Sequence, residues 1–361
     1  MAQTLNINKY GGTVTFSATS DPAGPTLTYS TTGNTWATRS GNVVTVAANN
    51  GASDRSLNIT VTATTVANTG YTGTATASSA YTITQDGTGT TPTGLSEYLT
   101  FEIISGGTIY WKKSNGNATS KTIYYSKDSG STWASLVSST GGTSISVNAG
   151  DKVMFKGDNY QYYSNGYYNQ FFTNSWDDIK FNIRGNIMSI IDSTGFATAT
   201  TLSASGAFSG LFSGCTALVS AEDLIMPATS LTESCYSSMF NGCTGLTAAP
   251  ELPATTLEPY CYQEMFYGCS SLTTAPALPA TTLADSCYAN MFYGCSSLTT
   301  APELPATTLA DSCYSNMFQD CTSLTTAPVL PATTLATGCY QQMFYNCTGL
   351  TAAPSILPAT T

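Results

Sequence analysis

Two stretches of the chain alternate apolar and polar residues with the period of two that is typical of a half-buried β-strand. Clusters of Gly, Pro, Asn and Asp separate the runs, as expected for short strands joined by turns. The pattern predicts a β-sandwich over residues 1–86, a flexible linker over 87–96 and a second β-sandwich over 97–195. The predicted strands cover residues 13–17, 26–30, 43–46, 57–63 and 80–84, then 98–104, 108–112, 122–126, 143–147, 152–156 and 179–183.

The first of these domains carries a recognisable pattern at its second half. Residues 49–63, Asn-Asn-Gly-Ala-Ser-Asp-Arg-Ser-Leu-Asn-Ile-Thr-Val-Thr-Ala, and residues 81–87, Tyr-Thr-Ile-Thr-Gln-Asp-Gly, resemble the BACON family. Members of that family are Ig-like modules that are abundant in Bacteroides proteins and in their phages. The resemblance covers about 80 residues and implies an Ig-like sandwich with either a carbohydrate-related or a spacer role.

From about residue 196 the alternation gives way to a block of 26 residues that recurs with few changes. One copy spans residues 278–303, and cysteines mark the register. The first cysteine of each copy is Cys235, Cys261, Cys287, Cys313 or Cys339, and the second follows eight residues later. A degenerate copy around Cys215 precedes these five. A fixed period in this range predicts a solenoid of stacked repeats over residues 196–361.

Within one copy, Cys287, Met291, Phe292 and Cys295 are spaced i, i+4, i+5 and i+8. This spacing predicts a short helix with one apolar face, capped at its start by Asp285 or Ser286 and ended by Gly294. The sequence Leu-Thr-Thr-Ala at residues 298–301 predicts a short strand. Leu, Cys, Met and Phe are expected to point inward and to stack on their counterparts in neighbouring copies.

The repeat also resembles the BspA-like leucine-rich repeat. Residues Met291-Phe292-x-x-Cys295-x-x-Leu298 correspond to its Ala-Phe-x-x-Cys-x-x-Leu core, with Met in place of Ala. The resemblance implies a leucine-rich-repeat solenoid with short strands and short helices. The predicted fold class is therefore mainly β and multidomain: two Ig-like sandwiches followed by the solenoid.

All 11 cysteines lie in the repeats. Two cysteines eight apart on a helix are too distant for a disulfide, and the degenerate copy keeps Cys215 while Ala207 replaces its partner. We therefore expect buried free thiols that act as small hydrophobic groups; bridges between adjacent coils are the alternative. No Cys-x-x-Cys pair occurs, so no zinc site is predicted.

The composition and charge of the chain disfavour several classes of function. Only 9% of residues are charged, and there is no histidine, so the commonest general base and metal ligand is missing. Residues 185–361 contain no Lys or Arg and 11 acids, a charge that disfavours nucleic acid. No run of apolar residues is long enough to span a membrane, and the N-terminus has no secretory signal pattern. We predict no enzymatic activity, no cofactor, no metal, no nucleic acid and no membrane insertion.

Residues 160–176 are the most unusual segment outside the repeats. Tyr with Asn, Ser and Gly is typical of binding loops, which combine rigid rings with adaptable hydrogen bonds. Either the segment binds a ligand, or half of the rings belong to the core and the rest pack an interface. The candidate ligand-binding residues are Tyr160, Tyr162, Tyr163, Tyr167, Tyr168 and Trp176.

Two weaker candidates have structural interpretations. Residues 126–133, Ser-Lys-Asp-Ser-Gly-Ser-Thr-Trp, fit the Asp-box pattern of sialidases, where the box shapes a hairpin away from the chemistry. A single copy predicts a stable turn. In the repeats, Glu264, Asp285 and Asp311 are expected on the outer surface, either as weak calcium ligands or as a solvated face.

The combination of a BACON-like module, a second sandwich and these repeats resembles virion appendage proteins of Bacteroides phages and prophages, crAss-like phages among them. It predicts a non-enzymatic structural protein of the virion surface, such as a tail fibre, head fibre or decoration protein, that attaches to a host-surface glycan or protein. Its N-terminal domain would bind other virion proteins. Because the chain stops at a repeat boundary without a capping variant, we expect a homo-oligomer or a longer array. The alternative is a secreted adhesin on a bacterial cell surface.

Overall fold

The computed structural model describes residues 95–352, except 165 and 175–177, together with residue 354 and the backbone of seven strands before residue 86. The chain forms two compact units, Met1–Pro92 and Thr93–Thr361. The boundary predicted between residues 195 and 196 lies inside the second unit. In the described residues the structure is mainly β, as predicted, and its only helical segments are two 3-10 turns, Ile187–Ile190 and Phe196–Thr198.

The first unit contains two sheets. Its strands are β1 (Gln3–Ile7), β2 (Gly12–Thr15), β3 (Thr26–Ser30), β4 (Ala37–Ser40), β5 (Val43–Val46), β6 (Arg55–Thr64) and β7 (Thr76–Gln85). Strands β1, β7, β6 and β3 form one sheet in that order, and β2, β5 and β4 form the other. The pair β1 and β7 is parallel, whereas the other pairs are antiparallel. All five strands predicted here are present, and β3 and β5 have the expected bounds.

The second unit begins with two further sheets. Its strands are β8 (Leu99–Ser105), β9 (Gly107–Lys113), β10 (Thr122–Ser126), β11 (Ala134–Val137), β12 (Thr143–Val147), β13 (Lys152–Lys156), β14 (Tyr163–Ser164), β15 (Tyr167–Phe172), β16 (Lys180–Asn186), β17 (Leu218–Ser220) and β18 (Leu224–Ile225). One sheet has the order β11, β10, β13, β8, β16, β17, with β18 also paired to β16; the other has the order β12, β9, β15, β14. All six strands predicted in this region are present.

Aromatic side chains join these two sheets into one core. Phe101 on β8 and Phe155 on β13 meet Phe171 on β15 at ring-centroid distances of 4.8 and 4.9 Å. Trp111 on β9 packs against Phe171 at 4.9 Å, and all four side chains are fully buried. Tilted and edge-on contacts of this kind stabilise the core beyond the area they remove from water.

The repeats form coils of consecutive turns. The short helix that the spacing predicts over residues 287–295 is not formed, so this expectation was wrong. Ser286, Asn290 and Gly294 have φ values of 51°, 56° and 70°, in the left-handed region that no right-handed helix contains. The same three places, four residues apart, have positive φ in every copy from Gly206-Gly210-Gly214 onward. A spacing of i, i+4, i+8 fits four-residue turns as well as it fits a helix.

Backbone hydrogen bonds alternate along this segment. The N–H groups of Cys287, Ala289 and Met291 donate to carbonyls three residues earlier in the same coil, at 3.2 Å. The N–H groups between them donate to the next coil, Tyr288 to Cys313 at 3.0 Å being one case. Every second residue therefore closes a turn, and the residues between bind the neighbouring copy, so a coil needs a neighbour to satisfy its backbone.

Side chains inside the solenoid stack in columns with the repeat period. One column contains tyrosines from Tyr236 to Tyr340, with neighbouring rings 5.6–5.9 Å apart and within 7° of parallel. A second contains phenylalanines from Phe212 to Phe344, at 5.4–5.8 Å. Leu, Cys, Met and Phe point inward as predicted, and the tyrosine column adds a member that the sequence analysis did not place in the core.

All 11 cysteines are free and buried, which confirms the thiol prediction. The two rows differ, because the second cysteine of a copy has a hydrogen-bond partner. Cys269 and Cys295 donate through Sγ to the carbonyls of Phe240 and Phe266, each at 3.1 Å. Burial raises the pKa of ten of these thiols, to about 12 for Cys215 and Cys287. These thiols are therefore neutral core groups.

Candidate functional site

The turn that follows β10 has the geometry expected of an Asp box. Asp128 accepts hydrogen bonds from the Ser126 hydroxyl at 2.6 Å and from the backbone N–H of Thr132 at 2.9 Å. These bonds lower the pKa of Asp128 to about 2. Trp133 donates through Nε1 to the Gly130 carbonyl at 3.0 Å, which ties the end of the turn to its middle. The arrangement is a hairpin turn held by its own hydrogen bonds, and Trp133 also contacts Tyr98 and Lys156, consistent with the structural interpretation.

The tyrosine-rich segment is a β-hairpin and not a loop. Its two strands, β14 and β15, pair Tyr163 with Tyr168, and β15 continues the sheet beside β9. Since successive residues of a strand face opposite sides of the sheet, the rings of this segment are divided among different surroundings. That division decides which of the candidate residues share a site.

Tyr162 lies in the core. Its side chain is fully buried, its ring packs edge-on against Trp111 at 5.4 Å, and its hydroxyl donates to the Ile190 carbonyl. Burial raises the pKa of the hydroxyl well above its usual value. Tyr162 therefore forms the floor of any site here and offers little contact surface.

Tyr163 and Tyr168 pack against the first coil of the solenoid. A Cβ atom placed on Gly206 would approach the Tyr163 ring to 2.7 Å, and one on Gly210 would approach the Tyr168 ring to 3.0 Å. The backbone N–H of Tyr162 donates to the Ala207 carbonyl at 3.0 Å, and that of Phe171 to Leu211 at 2.8 Å. This hairpin therefore covers the N-terminal end of the repeats.

Three of the candidate tyrosines surround a cleft of about 180 Å³ beside this hairpin. Tyr160 is 60% exposed, and Tyr163 and Tyr167 are half-buried. The floor is Tyr162, and the remaining lining residues are polar: Asn117, Thr119, Lys121, Gln161 and Asn169. The structure thus brings four of the six sequence-predicted residues together; Tyr168 does not line the cleft, and Trp176 lies outside the described residues.

The charge of the cleft is set by Lys121. Its ammonium lies 5.1 Å from the centroid of the Tyr160 ring, a cation–π contact, and partial burial lowers its pKa. None of the described residues that line the cleft is an acid. Asn169 is a fixed wall, because its amide accepts from Ser138 and donates to the Thr119 carbonyl.

Sequence reasoning missed the polar half of this cleft. Lys121 and its neighbours lie about 40 residues before the tyrosines. The pairing of β15 with β9 and the hydrogen bonds from Asn159 to Thr122 and from Asn169 to Thr119 bring the two segments together. A weak signal was present, since Asn115, Asn117 and Gly116 form a turn between strands, where binding residues are often found.

The acids of the repeats connect neighbouring coils. Glu264 accepts hydrogen bonds from Ser238 and Asn241 of the preceding copy at 3.2 Å, and Asp285 accepts from the backbone N–H of Asp311. Among the residues that the structure describes, no three His, Cys, Asp or Glu side chains are grouped closely enough to hold a metal ion. Nor does any helix described here have the length and apolar character needed to cross a bilayer.

Comparison of the chain with protein-family models, with curated proteins and with solved structures gives no match. The functional argument therefore depends on the chemistry of its own residues.

Proposed function

We propose that this chain is a non-enzymatic appendage of a phage virion, a fibre or decoration protein that attaches to a glycan or protein on the host surface. In this proposal the chain is built from a BACON-like Ig-like module, a second sandwich and a BspA-like leucine-rich-repeat solenoid. The first module binds other virion proteins, and the remainder is exposed outside the particle.

The observation that carries the attachment role is the cleft between Tyr160, Tyr163 and Tyr167. Aromatic rings beside amide groups and a lysine suit a ligand with both apolar faces and hydroxyl groups, such as a sugar. Tyr163 packs against the first coil and Tyr162 is buried in the core, so part of the cleft is already ordered before a ligand binds.

The nucleophile inventory supports a non-enzymatic role. The chain has no histidine, and its 11 thiols are buried in the core. A cysteine nucleophile acts as an exposed thiolate with a lowered pKa, whereas burial here raises the pKa of thiols such as Cys215 and Cys287. This leaves binding as the activity that the cleft supports best.

Attachment is tested with Tyr160→Ala and Tyr167→Ala in a host-cell binding assay. We expect each to weaken binding by about tenfold or more, because a contact ring is removed. Tyr124→Ala is the matched control: Tyr124 is 38% exposed on β10 and does not line the cleft. Equal binding by all three variants and the unmodified chain would remove the cleft from the proposal.

The virion role needs a separate experiment. Mass spectrometry of purified particles should detect the chain, and antibodies against it should label intact particles. If the chain is absent from particles and is found instead on bacterial cells, it is a cell-surface adhesin.

A further inference from the structure

Lys121 is an ammonium group without an acidic partner in the described part of the chain. Lys127 binds Asp151 and Lys152 binds Glu102, each at 2.8 Å, but Lys121 forms no such ion pair. Its charged end instead faces the Tyr160 ring at the edge of the cleft. An incoming carboxylate binds more favourably to a partly desolvated, unpaired lysine than to a fully hydrated one. Part of the water around the ammonium group has already been removed when the chain folds.

The other lining groups indicate what bears that carboxylate. Tyr160 and Tyr167 offer ring surfaces, and the side-chain amides of Asn117 and Gln161 supply donors and acceptors that suit hydroxyl groups. A cleft of about 180 Å³ is smaller than the roughly 300–1,000 Å³ of pockets that enclose a drug-sized ligand. It therefore fits one sugar unit at the end of a chain and not an enclosed oligosaccharide.

We propose that the cleft binds a terminal acidic sugar, with its carboxylate on Lys121 Nζ, its hydroxyl groups on Asn117 and Gln161, and its ring against Tyr160 or Tyr167. This assignment rests on the proposed attachment function and names the ligand class of the same site. A neutral sugar would leave the Lys121 ammonium unpaired and would bind less tightly.

The test compares two disaccharides of the same linkage, one ending in glucuronic acid and the other in glucose, by calorimetric or NMR titration of the full chain. We expect the acidic disaccharide to bind about tenfold or more tightly than the neutral one, because a charge-assisted hydrogen bond is added. Lys121→Gln should remove this preference, so that the two disaccharides bind with equal affinity to the variant.

Lys112→Gln is the control for loss of charge. Lys112 also lies over a ring, that of Phe172 at 4.6 Å, but it does not line the cleft. It should keep the preference for the acidic sugar. An unchanged thermal midpoint for both variants establishes that the fold is intact.

The outcomes separate the two proposals. Equal binding of both disaccharides, or a preference that survives Lys121→Gln, overturns the acidic-sugar assignment. If a disaccharide ending in a sulfated neutral sugar binds as well as the glucuronide, the site is a general anion site and the carboxylate assignment falls. Failure of the chain to bind host cells at all would overturn the attachment function itself.

Discussion

Left-handed residues recur along the solenoid at a spacing of four, and most of them have small or amide-bearing side chains. Gly occupies all three places in the first coil, and Ser, Asn, Asp and Gly occupy most of the others. These are the residues that tolerate positive φ at the lowest cost, because they lack a bulky side chain or bond to the local backbone. The exceptions include Tyr260 and Glu264, whose backbone N–H groups donate to the carbonyls of Asp285 and Ala289 in the next coil at 3.0 and 2.9 Å.

Ser286 provides a test of this backbone state. With φ of 51°, Ser286→Gly should leave the free energy of unfolding unchanged or raise it by up to about 1 kcal/mol, because the strain on Cβ is removed. In a helix the same change would lower it by roughly 0.5–1 kcal/mol. Urea denaturation measures the difference.

Ala289→Gly serves as the control for Ser286→Gly, since Ala289 is in the same coil without positive φ. It should lower the free energy of unfolding by about 1 kcal/mol, because Gly has more freedom in the unfolded chain and a buried methyl group is lost. A loss of similar size in both variants would contradict the turn geometry.

At the scale of elements, the hairpin of β14 and β15 is the cap of the solenoid. Phe171 on β15 stacks on Phe212 of the first coil at 5.5 Å and 16°, which extends the phenylalanine column into the sheet region. The parallel pairing of β16 with β17 and β18 extends the sheet in the same way. The end of a repeat array needs such a cover, because its backbone groups and apolar columns are otherwise exposed.

Gly210 and Gly214 form a matched pair for testing the cap. Both have positive φ, 66° and 73°, but only the Cβ of a residue at 210 meets the Tyr168 ring, at 3.0 Å. Gly214→Ala should cost about 1–2 kcal/mol from the backbone alone. Gly210→Ala should cost more, because the ring must also move.

Thermal or chemical unfolding of the two alanine variants gives the comparison. Tyr168→Ala should reduce the excess cost of Gly210→Ala, since it removes the obstructing ring. Equal losses at 210 and 214, whether or not Tyr168 is present, would show that this ring does not bear on the first coil.

At the scale of the whole molecule, residues from Leu99 to Leu350 contribute to one continuous hydrophobic core. The sheets formed by β8–β16 and the repeats therefore share one interior, although their sequence patterns differ completely. We expect them to unfold together.

Alkaline unfolding tests this unit. Burial raises the pKa of ten thiols from an unfolded value near 9, so their contribution to stability is complete below pH 9 and is lost as the pH rises toward the folded values. Each thiol costs up to about 1.4 kcal/mol per pH unit in that range. Together they should remove a typical stability of about 5–15 kcal/mol within roughly one to two pH units.

The measurement follows two signals in one pH titration. Thiolate absorbance reports the repeats, and the fluorescence of a variant that keeps the buried Trp111 and has Phe at the other three tryptophan positions reports the sheet region. The two transitions should coincide and be steep. A fluorescence change well separated from thiolate formation would contradict a single unit.

Seven strands, β15 among them, were not predicted, and residues 298–301 form an isolated bridge at Thr300 where a strand was predicted. The sequence by itself determined the other eleven strands, the repeat period and the inward set of Leu, Cys, Met and Phe. These depend on local alternation and on the identity of positions between copies, which one chain displays directly. It also favoured unpaired cysteines, because Cys215 persists without its partner, but bridges between adjacent coils were excluded only by the structure.

Only the tertiary structure decided between helix and turns, because a four-residue spacing fits both and the choice is made by hydrogen bonds between coils. It also placed the column of tyrosines from Tyr236 to Tyr340 in the core. Within residues 160–176, it placed Tyr162 in the core, Tyr163 and Tyr168 against the first coil, and Tyr160 and Tyr167 at the cleft. Lys121 joined the cleft through the pairing of β9 with β15 and the hydrogen bonds that Asn159 and Asn169 donate to Thr122 and Thr119 beside it. Contacts between residues distant in sequence have no local signature, so the cleft could not be derived from either segment alone.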